Sequence, residues 1–478
     1  MYIPARDIVA VLGLFNPWWR GEPVVELPGW RRAAWRELQD WLSKPPVRRA
    51  VMLSGARQIG KTTLIMQAIG QLIEGGTPPA NIIYATFDHP LLKLAGIDAV
   101  IKAWRQREPK AAGPEYVFLD EAQFIPEWGT WIKHQVDFHR QRRIVFTGSA
   151  TPLLEADQES GVGRWHAIRM TTLSFYEYVQ IKKLPLPALP KISEPAELLD
   201  QTAGGLQNIR EKASPYVAHF HEYLLRGGFP QTAQMDSIPQ AQRLLREDII
   251  DKVLKRDMTA LFGVRRILEL EHLFLYLCMH DGGLLDIPAV CSSLAVTRPT
   301  AQHFIELLEA THLIYRLLPF GYGKEVLRGR YKIYLADAAI APALMLRGKA
   351  MLDDPIALGV AAETTVFRHL FSRYYSRNAR FTYWRGKKDH EVDLVAEMGG
   401  ELVAFEVKYR TEPIDTQRLK GLLELCESKK VRHAYVVTRS TDDIGGIASP
   451  VGKPKTKIVQ IPAALLCYWM GEADATGG

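Results

Sequence analysis

Short apolar runs alternate with longer amphipathic stretches through residues 46–180. The runs at 51–53, 82–86, 117–120, 144–147 and 167–170 are too short for helices, and segments long enough for a helix, such as 63–73, separate them. This rhythm predicts a parallel α/β sheet, which binds ligands at the carboxyl ends of its strands. Residues 213–265 carry a helical pattern. Residues 267–320 read as three helices and a strand. Residues 391–398 and 401–409 alternate with period two around Gly399 and Gly400, so a two-residue hairpin is predicted. Counting outward pairs 398 with 401, Asp393 with Glu406, and Glu391 with Lys408, all on one face. Val392, Leu394, Ala396, Val403, Phe405 and Val407 form the other.

The first apolar run leads into Gly55, Ala56, Arg57, Gln58, Ile59, Gly60, Lys61, Thr62 and Thr63. This is G-x-x-x-x-G-K-T between a strand and a helix, the pattern of a phosphate-binding P-loop. The glycines let backbone N–H groups wrap an anion, Lys61 reaches the β- and γ-phosphates, and the Thr62 hydroxyl is placed for Mg²⁺. ATP and Mg²⁺ are therefore the expected cofactors. The run at 116–119 ends in Asp120 and Glu121, as a Walker B strand does. Asp120 would hold Mg²⁺ and Glu121 would polarise the attacking water. The alternative makes Asp120 only a helix cap.

The next strand ends in Thr147, Gly148 and Ser149, where AAA+ ATPases place a polar sensor. Ser149 is the candidate, with Thr147 also fitting, and a plain Gly-Ser turn is the alternative. Arg164, ahead of the run at 166–170, is the candidate arginine finger for a neighbouring subunit, against a reading as an ordinary surface arginine. Arg226, Gly227, Gly228, Phe229 and Pro230 form a turn that in a helical lid would lay Pro230 on the adenine; a helix C-cap with a proline stop explains it equally well. The helices before the strand at 313–318 predict a winged helix-turn-helix, with Arg298, Thr300, Gln302 and His303 opening the recognition helix. Winged helices also bind proteins, so DNA contact is one of two readings.

The hairpin has its own chemistry. Two facing carboxylates beside a lysine repel each other unless a cation separates them. A divalent metal would do this at Asp393 and Glu406, with Lys408 orienting a water. The D-x(12)-E-V-K spacing is that of PD-(D/E)xK nucleases. Glu363 stands where such folds place a further acidic ligand, and Gln417 where they place a glutamine. The alternatives are a surface hairpin with an ordinary Glu–Lys pair, or a nuclease fold that binds DNA without cutting it.

The chain has 478 residues, 47% hydrophobic and 24% charged, with net charge +7 and an isoelectric point near 9.0. Several domains are expected, and a polyanionic partner is permitted. Four cysteines without metal-ligand spacing point to buried free thiols in a reducing compartment. The apolar run at 8–12 is too short to span a membrane, so a cytoplasmic protein without a membrane partner is expected. Pro185, Pro187 and Pro190 mark a proline-rich link. Trp18, Trp19, Trp30, Trp35 and Trp41 crowd the first 45 residues; packing is favoured over base stacking.

With these motifs in hand, the chain resembles a prokaryotic family of AAA-type P-loop ATPases with a C-terminal PD-(D/E)xK nuclease-like domain of unknown function (DUF4143-type). The resemblance runs through Asn16, Pro17, Trp18 and Trp19; the P-loop; Leu119 to Gln123; Thr147 to Ser149; Arg226 to Pro230; and Glu391 to Asp393 with Glu406 to Lys408. Ala150 departs from it, a second serine being usual there. The resemblance implies nucleotide hydrolysis, assembly into a ring (a hexamer or similar) and a role on DNA. The expected fold class is α/β: a Trp-rich segment (1–45), an AAA+ P-loop parallel-sheet core (46–180), a helical lid (181–265), a winged helix (266–345) and a restriction-endonuclease-like α/β domain (346–478). The expected function is an ATP-hydrolysing DNA motor of the repair, recombination or branch-migration type. A STAND-like signalling or defence switch is the alternative. A protein remodeller is disfavoured because no aromatic-Gly pore loop stands near residues 87–100.

Overall fold

The computed structural model describes residues 3–24, 26–148, 163–323, 326, 329–386, 390–410, 419–447 and 456–477. The chain forms two compact units, Met1–Met170 with Ala310–His312, and Thr171–Glu309 with Leu313–Gly478. Ser149 and Gln417 lie outside the described residues. Among those described, no helix is long and apolar enough to cross a membrane. Cys278, Cys426 and Cys467 are buried free thiols, and Cys291 is half-buried.

The first unit is built on five strands: β1 (Ala50–Ser54), β2 (Ile82–Thr86), β3 (Glu115–Asp120), β4 (Arg142–Gly148) and β5 (Trp165–Arg169). All pair in parallel, in the order β2-β3-β4-β1-β5. β1 and β3 are buried along their whole length, as strands covered by helices on both faces must be. This order sets β4 between the P-loop strand and the Walker B strand. Leu53 pairs with Thr147, and Leu119 with Phe146.

β2 is an edge strand, and an edge leaves backbone groups without a partner strand. Residues 16–19 supply partners from side chains. The Asn16 amide donates to Tyr84 O at 2.8 Å and its oxygen accepts from Tyr84 N at 2.7 Å. The Trp18 and Trp19 indoles both donate to Ile82 O, at 3.2 and 2.9 Å. The tryptophans of this motif therefore pack.

The second unit carries an eight-stranded mixed sheet. Its strands are β6 (Ile314–Pro319), β7 (Lys332–Leu335), β8 (Arg380–Arg385), β9 (Glu391–Met398), β10 (Glu401–Lys408), β11 (Val431–Thr438), β12 (Gly445–Ile447) and β13 (Lys457–Pro462). Their order is β12-β13-β11-β10-β9-β8-β6-β7. The predicted hairpin is present in the predicted register, from Glu401 opposite Met398 to Phe405 opposite Leu394. Gly399 and Gly400 sit at φ 57° and 83°, the two positive values that a type I′ turn needs. Both faces of the hairpin are covered, with Val395 and Ala404 as fully buried as Val392 and Phe405, because β9 and β10 are central strands.

Helices Ile267–Met279, Ile287–Leu294 and Arg298–Ala310 precede the antiparallel pair β6 and β7. Leu284 adds an isolated antiparallel bridge to Lys332. β6 also pairs in parallel with β8 through Leu318 and Pro319, so one sheet runs across position 345. The proline-rich link is tied down: Pro187 O accepts from Tyr216 and Pro190 O from Trp469.

Asn16→Ala would strand two buried groups of Tyr84. Urea denaturation should show the first unit destabilised by about 1–3 kcal/mol for each group left unpaired; an unchanged midpoint would mean that water replaces the amide.

Candidate functional site

The P-loop curls at the carboxyl end of β1. A Cβ on Gly55 would stand 2.2 Å from Met170 O and 2.4 Å from the Ile59 side chain, so no side chain fits there. Lys61, 5% exposed, donates to Gly55 O and Ala56 O, both at 2.8 Å. Helix Lys61–Glu74 begins at this point, and its first N–H groups make an anion site. Ala56 and Ile59 are buried. Gln58 takes a left-handed φ of 63°. Arg57 lies 3.5 Å from Asp88.

Asp120 is the hub. Its Oδ2 accepts from Thr62 Oγ1 and Tyr84 OH, each at 2.8 Å, and its Oδ1 accepts from Thr147 Oγ1 at 2.6 Å. Thr147 Oγ1 also accepts from Glu121 N at 2.8 Å. Thr147 thus stands between the two motifs, placed by the strand order. Ser149 is not described. Glu121 sits at φ 54°, with Gln123 donating to its Oε2. Burial raises the Glu121 carboxyl above its usual range, Lys61 and Arg57 oppose that rise, and Asp120 adds to it. A base in such a place is poised for proton transfer.

Two residues that sequence reasoning passed over join this site. Arg169 ends β5 opposite Ser54. His312 is buried, 3.1 Å from Ser54 Oγ through Nε2 and 3.4 Å from Arg169 through Nδ1. Burial, Arg169 and Lys61 together hold its imidazole well below its usual range, and so neutral. No local pattern marks it, because its partners lie more than 140 residues away.

Arg164 lies at the other end of the strands. Its carbonyl accepts from Ala50 N, about 15 Å along β1 from the P-loop at strand rise. Its guanidinium pairs with Asp137 at 2.7 Å. Thr63 follows Thr62 on the first turn of the P-loop helix. Pro230 opens helix Pro230–Gln234 in the second unit. There the preceding Gly228 donates to Asp337 and accepts from Leu173 N.

The second unit gathers the predicted carboxylates. Glu363, from helix Pro355–Tyr375, and Asp393, from β9, share a partner that sequence reasoning missed, Lys332 of β7. Lys332 Nζ lies 2.9 Å from Glu363 Oε1, 2.9 Å from Asp393 Oδ1 and 3.1 Å from Glu391 Oε1, and its side chain is 3% exposed. Tyr334, two residues along the same strand face, donates to Glu363 Oε1 at 2.8 Å. Asp393 Oδ2 accepts from Val407 N, and Lys408 pairs with Glu406 Oε1. Burial, with Asp393 adding to it, pushes the Glu406 carboxyl up to about 8, while the lysines hold Asp393 below its ordinary value despite its burial. Sequence reasoning predicted a divalent cation at Glu363, Asp393 and Glu406. Among the described residues no three or more carboxylate, His or Cys side chains are arranged to hold a metal ion, and the positive charge beside Asp393 is an ammonium.

On helix Arg298–Ala310, Arg298 and His303 are exposed and Thr300 and Gln302 half-exposed, while Ala301, Phe304 and Ile305 are buried. Thr297 caps the helix through Thr300 N.

A parallel sheet with P-loop, Walker B carboxylates and an intervening polar strand end defines an AAA-type P-loop ATPase core. Residues 47–179 match the family model described as an AAA domain. Residues 217–351 and 358–453 match two domains of unknown function, DUF8612 and DUF4143. An uncharacterized protein of Haemophilus influenzae is 25% identical over 391 residues, covering 79% of this chain and 87% of its own. One of Mycobacterium tuberculosis is 26% identical over 403 residues, covering 82% and 77%. Among solved structures, the Aeropyrum pernix ORC1 protein in complex with DNA matches at 14% identity and a TM-score of 0.31, covering 68% of this chain and 94% of that one. AMPPCP-bound DnaA from Aquifex aeolicus matches at 15% and 0.25, covering 59% and 89%.

Glu121→Gln should leave nucleotide affinity intact and slow phosphate release by about 10²–10⁴-fold; turnover at the wild-type rate would remove Glu121 from the chemistry.

A pH dependence follows from Asp281, which accepts from Leu335 N at 2.9 Å and Thr364 Oγ1 at 2.8 Å and so ties β7 to the Glu363 helix. Burial pushes this carboxyl up to about 7. The folded state therefore keeps a proton that the unfolded chain has lost. Its stabilisation is full below the unfolded value of about 3.9 and is lost as pH rises through the folded one. Denaturation of wild type and Asp281→Asn across that window should show a shallower fall in the variant.

Proposed function

We propose that this chain is an ATP-hydrolysing machine that assembles into a ring, a hexamer or similar, and acts on DNA. The hydroxyl network of Thr62, Thr147 and Tyr84 around Asp120, with Glu121 beside it, carries the reading. Lys61 would bind the β- and γ-phosphates, and Glu121 would take the proton of the attacking water. Thr62 and Asp120 fit a Mg²⁺ ion, which when bound would neutralise charge developing on the transferred phosphoryl group. Arg164, exposed in part and far from its own P-loop, would complete a neighbouring subunit's site, as a finger supplied in trans does.

For DNA, the support is topological and electrostatic. Three helices followed by a two-stranded hairpin is the layout of a winged helix, with Arg298, Thr300, Gln302 and His303 on the face that would enter a groove. The net charge of +7 favours a polyanion. Repair, recombination or branch migration would suit such a motor.

A signalling or defence switch is the second reading, and His312 favours it. His312 bonds Ser54 at the foot of the P-loop, and the chain on both sides of residues 310–312 belongs to the second unit, so a nucleotide-dependent shift of the loop would have a covalent route outward.

ATPase rates with single-stranded, duplex and branched DNA test the choice. Stimulation by DNA, with retention that weakens steeply between low and physiological salt, is expected of the motor. Arg298→Ala should weaken that retention and shallow its salt slope by about one. Slow turnover, tight nucleotide retention that His312→Ala loosens, and no response to DNA would instead establish the switch. For the ring, Arg164→Ala should lose hydrolysis while keeping ATP affinity; a fully active monomer in sedimentation would overturn it.

A further inference from the structure

The carboxylate cluster of the second unit is organised around a cation that the chain itself provides. An ammonium has three protons to donate, and Lys332 Nζ has three carboxylate partners from two elements, Glu363, Asp393 and Glu391, at 2.9, 2.9 and 3.1 Å. Its backbone is held from both sides, by Leu317 of β6 and by the bridge to Leu284. Tyr334 fills a further acceptor position on Glu363. The second oxygen of Asp393 is taken by Val407 N, and Glu406 Oε1 by Lys408. One oxygen in the cluster, Glu406 Oε2, is buried without a hydrogen-bond partner. A divalent cation would have to share Glu363, Asp393 and Glu391 with an ammonium already within 3.1 Å of all three, and two cations that close repel each other.

We propose that Lys332 takes the place of the divalent cation in this nuclease-like site, so that the site folds around an ammonium and binds no metal while Lys332 is present. The carboxylates form a latent cation site that the lysine closes. This holds whether or not the chain meets DNA, and it predicts that metal-dependent cleavage is absent from the wild-type protein for a reason built into β7.

The test is Mn²⁺ binding to nucleotide-free full-length protein, followed by electron paramagnetic resonance and by melting. Wild type and Glu363→Gln should bind the same amount of Mn²⁺ at sub-millimolar concentration, and neither should melt higher with it. Lys332→Met should gain a bound Mn²⁺ and an upward shift of its melting midpoint, and adding Glu363→Gln should abolish both. A wild-type Mn²⁺ site that Glu363→Gln or Asp393→Asn removes would overturn the proposal. So would a folded Lys332→Met protein indifferent to Mn²⁺. Should Lys332→Met fold poorly, the wild-type comparison alone decides.

Discussion

A carboxylate held within a sheet must be given partners by the rest of the fold, because leaving it bare in a low-dielectric interior costs more than a domain's margin of stability allows. Both units obey this constraint, with different chemistry. In the first, Asp120 at the end of β3 is served by hydroxyls from β4, β2 and the P-loop helix. Hydroxyls are neutral and rotate, so the same atoms can turn to serve a phosphate or a metal-bound water. In the second, Asp393 on β9 is served by a lysine from β7 and a backbone amide from β10. An ammonium neutralises as well as solvates. The first arrangement answers the carboxylate with neutral groups alone; the second sets ammonium charge against carboxylate charge.

That contrast sets apart two sites that look alike along the chain, each a strand carboxylate with a lysine nearby. Lys61 grips carbonyls of its own loop, whereas Lys332 and Lys408 grip carboxylates. A lysine held by neutral carbonyls can be recruited by an incoming anion. A lysine bonded to three carboxylates is much harder to draw away.

What could be read from the chain was whatever short spacing determines. The P-loop, the paired acids at 120 and 121, and the hairpin register all rest on neighbours within about a dozen residues, where strand and turn geometry leave few options. What could not be read depends on which strands end up adjacent. Ser149 is the candidate that spacing offers, with Thr147 also fitting, and it takes the order β3-β4-β1 to show that Thr147 bonds Asp120; Ser149 lies outside the described residues. Lys332 stands in an apolar strand more than 30 residues from its first partner, and only the pairing of β6 with both β7 and β8 brings it over the acids. A lysine and a tyrosine two apart in an otherwise apolar strand were the signal available, since a charge on a buried strand face needs a counter-charge. His312 offered no signal of that kind.

The side-chain seal on β2 has a consequence for how copies of this protein can meet. An uncovered strand edge invites an extended segment of another chain, and that is a common route both to functional strand addition and to aggregation. Asn16 occupies both backbone groups of Tyr84, and two indoles share the carbonyl of Ile82, so this border of the sheet is closed before any neighbour arrives. A continuous sheet between copies cannot form across this border, and strand addition is left to the opposite edge, β5. The Asn-Pro-Trp-Trp motif thereby acts as a guard on one edge of the sheet, doing with side chains what a further strand would otherwise do.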